Sequence, residues 1–284
     1  MTTRSDDRQG RLSDVTSKGA LLGVASRLAN RYDVLGTIHR AYWRARLAAF
    51  AEGGTVRVGG TTARFAVATR SERRRVRHLG GERFVLEMLL DELTGDETLW
   101  DVGACVGTYA CLAAGRLADG HVVAFEPEPT NRRRLESNLR ENAPASRWTA
   151  LPTALSDYDG STPLASEFTE AGGGHHRLAA SDAAGGGTPV EVRRGAGLCA
   201  AGVPAPDVLK VDVQGAELQV LRGMGAVLDG VGTVYVEMHR EKTAWYGSTT
   251  DEVEAFLADR GYATERLGEP TNGRPGVYFL RAHR

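Results

Sequence analysis

The chain has little with which to build a disulfide framework: three cysteines in 284 residues, Cys105, Cys111 and Cys199, with no C-x-x-C pair among them. An odd, scattered set argues against a stapled secreted fold and against a cysteine metal cage, and it favours a reducing compartment, read as the cytoplasm. Charge of one sign is equally scarce. The 35 Lys and Arg face 36 Asp and Glu, a formal net charge of −1, so no global field draws in nucleic acid or an anionic membrane. No apolar run approaches about 18 residues. The opening stretch mixes both signs (Arg4, Asp6, Asp7, Arg8), so neither a membrane span nor a signal peptide is expected. Internal repeats are lacking too.

A further absence is more informative. The glycine turn at Leu99-Trp100-Asp101-Val102-Gly103-Ala104-Cys105-Val106-Gly107-Thr108 departs from the dinucleotide pattern G-x-G-x-x-G. Cys105 stands where the second glycine lets a pyrophosphate approach the backbone, and Thr108 stands at the third position. Asp101 puts a negative charge at the strand end, which repels a phosphate. An adenosyl ligand with an ammonium group and no phosphate fits instead, its carboxylate held by a helix N-terminus near Val106. S-adenosylmethionine has those parts. A second buried run, Val122-Val123-Ala124-Phe125-Glu126-Pro127, ends in Glu126, 25 residues after Asp101. That is near the offset of about 20 residues at which an acidic side chain meets ribose hydroxyls.

What is present suits an enzyme with one large core plus an extension: 42% hydrophobic and 25% charged residues. We expect two regions. Residues 1–80 form an N-terminal extension, with 1–18 disordered, helices over 21–50 (Leu22, Leu28, Tyr32, Leu35, Ile38) offering a lid or a homo-oligomer face, and a hairpin at Thr55–Val58 and Thr62–Val67 around Gly59-Gly60. The basic run Arg70 to His78 reads as a solvated helix face.

Residues 81–284 alternate helix and strand. Val85, Met88, Leu89 and Leu93 form an apolar stripe, and Leu135 and Leu139 mark a helix after Glu126. A strand near Trp148 to Ala154 precedes a Gly-rich loop over Glu170 to Gly187 that reads equally as a flexible cover hinged at its glycine triplets and as a disordered surface insertion. Then follow a strand Asp207 to Asp212, a helix from Gly215 to Leu228, a strand Val231 to Met238, and a helix opened by the capping box Thr249/Glu252. Tyr262 to Leu267 with Val277 to Leu280 closes the chain as an antiparallel hairpin.

Taken together, Asp101-Val102-Gly103-Ala104 with Gly107, Phe125-Glu126-Pro127, Ala154-Leu155-Ser156-Asp157, Val211-Asp212-Val213-Gln214-Gly215-Ala216-Glu217 and Val236-Glu237-Met238-His239 resemble the successive motifs of FkbM-type S-adenosylmethionine-dependent methyltransferases. The resemblance implies an α/β, Rossmann-like class I methyltransferase fold. Its mostly parallel seven-stranded sheet carries an antiparallel edge hairpin, and the cofactor lies across the strands' carboxyl ends. It further implies methylation of a hydroxyl on a small molecule or saccharide. Carried over by position, Asp101, Gly103, Ala104, Gly107 and Thr108 shape the methionine end, Glu126 and Pro127 take the ribose, and Ser156 and Asp157 flank the adenine. Gln214 stands where the family often has Glu.

Asp212 closes an apolar strand and projects into the crevice beside the transferable methyl. Methyl transfer is a displacement on an activated carbon, so the enzyme aligns the reactants and disposes of the hydroxyl proton. Asp212 or His239 is the expected acceptor, with Glu237 orienting the imidazole. Lys210 is expected in a sheet-end salt bridge. Asp212, Glu237 and His239 are hard or imidazole ligands that could converge, and His175 and His176 add a loop pair; no required metal is expected, because neither H-x-x-x-H nor a cysteine cluster is present and adjacent histidines point apart in an extended chain. Two other classes compete: a nicotinamide oxidoreductase, disfavoured by Cys105, and a non-catalytic adenosine-binding protein, disfavoured by the intact Asp101, Glu126 and Asp212. A nucleic-acid methyltransferase is weaker still, for want of an interleaved basic and aromatic surface.

Overall fold

The computed structural model describes residues 53–166, 170–174, 176–178, 187–268 and 273–284. The expectations for 1–18 and 21–50, and His175, lie outside them. All described residues belong to the unit Phe50–Arg284.

The first two strands, β1 (Gly54–Val58) and β2 (Thr61–Phe65), form the expected hairpin. Gly59 and Gly60 both take positive φ (51° and 77°), the two-residue turn that matches strand twist. Each strand alternates buried and exposed residues, so Val56, Val58, Ala63 and Phe65 all turn inward. They join the core cluster of Leu86, Leu89 and Leu112 rather than a separate module. The hairpin thus packs into the same core as the helices that follow it.

Helix α1 (Arg70–His78) starts at a capping box, Thr69 with Glu72. It is not the wholly solvated face that its charge suggested. Glu72 is 1% exposed. It accepts the Ala68 and Thr69 N–H groups and pairs with Arg134 at 2.5 Å. Helix α2 (Arg83–Glu92) buries Val85, Leu86, Leu89 and Leu90.

The central sheet comprises β3 (Thr98–Val102), β4 (His121–Phe125), β5 (Trp148–Leu151), β10 (Val208–Val211), β11 (Thr233–His239), β12 (Ala263–Gly268) and β13 (Val277–His283). Its order is β12-β13-β11-β10-β3-β4-β5. Every pairing from β11 to β5 is parallel, and β13 runs antiparallel to both neighbours. The inner strands are buried on both faces, which is why they read as apolar runs rather than alternations. Helices α3 (Thr108–Arg116), α4 (Pro129–Asn142), α6 (Glu217–Met224) and α7 (Thr250–Asp259) complete the crossovers. The expected helix over 215–228 ends at Met224 and continues as a 3-10 stretch, Gly225–Gly230.

A second sheet was not legible in the sequence. It joins β6 (Thr153–Leu155), β7 (Gly160–Ser166), β8 (His176–Leu178) and β9 (Thr188–Arg193) in the order β6-β9-β7-β8. The run read as one strand over 148–154 is thus split between two sheets, and part of the expected Gly-rich loop is strand β8. Helix α5 (Gly195–Ala200) leads back to β10.

Candidate active site

Adjacent register pairs bring the carboxyl ends of β10, β3 and β4 into line: Val211 opposite Val102, and Val102 opposite Phe125. The turns that follow, at Gly103–Gly107, Glu126–Glu128 and Asp212–Ala216, meet at one edge of the sheet, where open α/β sheets hold their ligands. Their approach is close enough to demand glycine. Gly103 has φ 82°, and a Cβ there would lie 1.9 Å from the Asp212 carbonyl oxygen. Cys105 (φ 52°) in the turn after β3 and Gln214 (φ 59°) in the turn after β10 hold left-handed conformations that side chains rarely adopt.

Between these turns and the second sheet lies a cleft. Phe125, Leu155 and Leu164 supply an apolar wall, Glu126 and Pro127 stand at the end of β4, and Arg75 and Asp212 also line the cleft. Glu126 is 4% exposed and accepts the N–H groups of Cys105 and Glu128, both at 2.8 Å. Burial outweighs those bonds and pushes its carboxyl up to about 8.

Two residues of this wall escaped the sequence reading. Arg75 sits inside the basic run, yet its Nε donates to the Gly172 carbonyl at 3.0 Å and its guanidinium lines the cleft. The signal was weak: Glu72 and Arg75, three apart, share an inward face of α1. Asn131, 0% exposed, accepts the Gly172 N–H and donates to the Gly173 carbonyl, both at 2.9 Å. Gly172 to Gly174 is therefore fastened to α4 and α1 rather than serving as a free hinge.

Behind Asp212 lies a buried ionic cluster. Lys210 bridges Asp101 (3.1 Å) and Asp212 (4.0 Å), the expected sheet-end salt bridge. Burial opposes its charge, but Asp101 and Asp212 prevail and raise the ammonium above its usual range. Burial likewise works against the Asp212 carboxylate, while Lys210 and then His239 hold it well below its usual range. Glu237 goes the other way, pushed up by burial and by the neighbouring Asp212 and Glu82. His239 Nδ1 lies 2.9 Å from Glu217 Oε1, so the orienting carboxylate is Glu217 and not Glu237, which pairs with Arg274 at 2.6 Å. Glu217 sits within a quoted motif, but its partner is a strand away and had no local signature. Gln214 donates to Asp212 Oδ1 at 2.8 Å and accepts from Lys242.

The structure brings Gly103, Glu126, Pro127 and Asp212 into the cleft wall; Ala104 and Thr108 line a smaller recess beside it with Arg75 and Glu82. Glu237 and His239, each 2% exposed, lie beneath it. Asp101 is 0% exposed and is spent on Lys210 and the Ala110 N–H, so it does not reach the cleft. Gly107 packs on Leu135 instead. Ser156 and Asp157 also lie outside the wall, which that segment builds from Thr153, Ala154 and Leu155. The Ser156 carbonyl is pressed against Gly223 of α6, turning the chain away from the cleft.

Such a fold, with its cleft at the carboxyl ends of the parallel strands and a carboxyl at the second strand's end, is that of a class I S-adenosylmethionine-dependent methyltransferase. The Methyltransferase FkbM domain matches residues 101–264. The chain belongs to that family. The Hexuronic acid methyltransferase AglP of Haloferax volcanii is 35% identical over 210 residues, spanning 73% of this chain and 81% of that protein. Among solved structures, methyltransferase FkbM from Methylobacillus flagellatus KT aligns with 19% identity and a TM-score of 0.48, over 66% of this chain and 44% of that one. Magnesium protoporphyrin IX methyltransferase (ChlM) from Synechocystis PCC 6803, with bound SAM, aligns with 11% identity and a TM-score of 0.45, over 77% and 85%. As a member of the FkbM family the protein is an S-adenosylmethionine-dependent methyltransferase. No helix among its described residues is long and apolar enough to cross a membrane.

Proposed function

We propose that the chain methylates a hydroxyl of a saccharide, one bearing an acidic sugar. The observation that carries this reading is the 35% identity, over most of its length, to a protein named for hexuronic acid methylation. When bound, S-adenosylmethionine supplies a methyl group already activated by a sulfonium. The residues of this chain then have four tasks. Glu126 accepts the two ribose hydroxyls, the apolar wall of Phe125, Leu155 and Leu164 encloses the adenine, and the Gly103 turn with Arg75 receives the amino-acid end. Asp212, backed by His239 and Glu237, positions the acceptor hydroxyl and is the place where it is ionised. Asp101 acts at one remove, fixing Lys210. Acceptor selection falls to residues 1–80 and the Gly-rich segment. Three free cysteines fit work in a reducing cytoplasm.

The test is methyl transfer from isotope-labelled S-adenosylmethionine to a panel of uronic-acid, neutral and amino-sugar glycans, read by mass spectrometry. Label on uronic-acid glycans that resists mild base, as an ether does and an ester does not, is the expected result. Label only on non-carbohydrate metabolites of a cell extract would overturn the saccharide reading.

A further inference from the structure

Three side chains from two neighbouring strand ends converge below the cleft. Asp212 follows β10, and Glu237 and His239 close β11; one ligand-capable atom of each lies within 4.8 Å of the others. Donors bound at about 2.0–2.6 Å from one divalent ion stand up to about 5 Å apart, so the three could share an ion with little movement.

Acidic clusters are common, and the imidazole sets this one apart. Glu217, itself 0% exposed, faces Nδ1 of His239 at 2.9 Å. A carboxylate only accepts, so Nδ1 carries the hydrogen that points at Glu217, and Nε2 is the ring nitrogen left facing Asp212. That atom is buried and has no hydrogen-bond partner among the described residues. It faces Asp212 Oδ1 at 3.9 Å, too far for a hydrogen bond. A carboxylate behind the ring and an open nitrogen in front is how proteins orient a metal-binding histidine.

The neighbouring cations hold the carboxylates in place: Lys210 is shared between Asp101 and Asp212, and Arg274 between Glu82 (3.1 Å) and Glu237 (2.6 Å).

We infer that Asp212, Glu237 and His239 form a divalent-cation site, with Glu217 as the outer partner of the imidazole. Two carboxylates and one imidazole suit a hard to borderline ion, of which Mn2+ is the practical probe. The purpose assigned to it rests on the methyltransferase reading above: an ion beside Asp212 lowers the pKa of an acceptor hydroxyl that reaches it. The proton leaves to water, and the O–C bond forms as the C–S bond breaks, with no further electrons required.

The experiment is a Mn2+ titration of the chelator-stripped full-length protein, followed by electron paramagnetic resonance, with S-adenosylmethionine affinity measured on the same preparation. One ion per chain is expected, showing nitrogen hyperfine coupling from a single imidazole. His239→Gln should lose that coupling and the binding. Glu217→Gln keeps all three ligands and should weaken binding by about 10- to 100-fold. Both variants should retain cofactor affinity, which shows that they are folded. Wild-type protein that takes up the cofactor but no Mn2+, or Mn2+ uptake that His239→Gln leaves unchanged, overturns the site. No acceptor is present in the titration, so an error in the saccharide reading leaves its outcome untouched.

Discussion

The Glu126 carboxylate accepts the backbone N–H of Cys105 at 2.8 Å, tying the end of β4 to the left-handed turn that follows β3. The side chain proposed to read the ribose is therefore also a brace of the turn beside it, and it is held in place before any ligand arrives. Replacing it removes both functions. Glu126→Ala should weaken S-adenosylmethionine binding by more than about 1.5 kcal/mol, the range of lost charge-assisted hydrogen bonds. Calorimetry showing unchanged affinity would remove Glu126 from the ribose site.

The same residue makes the protein sensitive to pH. Its carboxyl is raised by burial from 4.5 to about 8 in the folded chain. Between those values the folded state holds a proton that the unfolded state has released, so stability falls as pH rises through this window and levels off above it. The slope from one group is at most about 1.4 kcal/mol per pH unit. Glu126→Gln should flatten it in denaturant melts at pH 5, 6, 7 and 8. Cofactor affinity runs in the opposite sense, since the diol is accepted best by the ionised form: it should climb toward pH 8 in the wild type and not in the variant.

The sheet and its strand-end acids were legible because they obey local rules. Buried parallel strands announce themselves as apolar runs, as at Leu99–Val102 and Val208–Val211, and Thr249 with Glu252 writes a helix start in four residues. Partnerships across the fold have no such signature. Asp101 looked like a ligand for an ammonium group, but register places Lys210 directly opposite on β10, and the two neutralise each other. Glu237 lies two residues before His239 on the same strand, yet alternation along a strand does not decide which acid meets Nδ1, and Glu217 of α6 does. The four-stranded sheet escaped for a related reason. Its strands are short and drawn partly from Gly-rich sequence, so pairing rather than propensity makes them strands.

Asp212 is the cluster member that faces the cleft, with its side chain 19% exposed against 1% for His239. Its charge is held by Lys210, so exchange to the amide removes a charge from the acceptor side while leaving the shape of the turn. Asp212→Asn should therefore depress kcat far more than it raises the Kd for S-adenosylmethionine, because the interaction it loses is made in the transition state. Single-turnover assays beside calorimetry separate the two. Wild-type turnover in this variant would exclude Asp212 from positioning or ionising the hydroxyl.

Arg75 offers the sharpest division of the cleft into parts. It lies outside the matched stretch 101–264, reaches in from α1, and lines both the main cleft and the recess that holds Gly103, Ala104 and Thr108. The nearby Glu82 and Asp212 raise its already high pKa further, the largest contribution coming from Cys105, so it is a permanent cation. If it meets the carboxylate of the amino-acid end, Arg75→Ala should lose about 10- to 100-fold in affinity for S-adenosylhomocysteine, the range of a hydrogen bond to a charged group. Affinity for 5′-methylthioadenosine, which keeps the nucleoside and the sulfur but lacks the amino acid, should hardly change. A loss of equal size for both ligands would mean that Arg75 supports the cleft wall through its bond to Gly172, and that the carboxylate is held elsewhere.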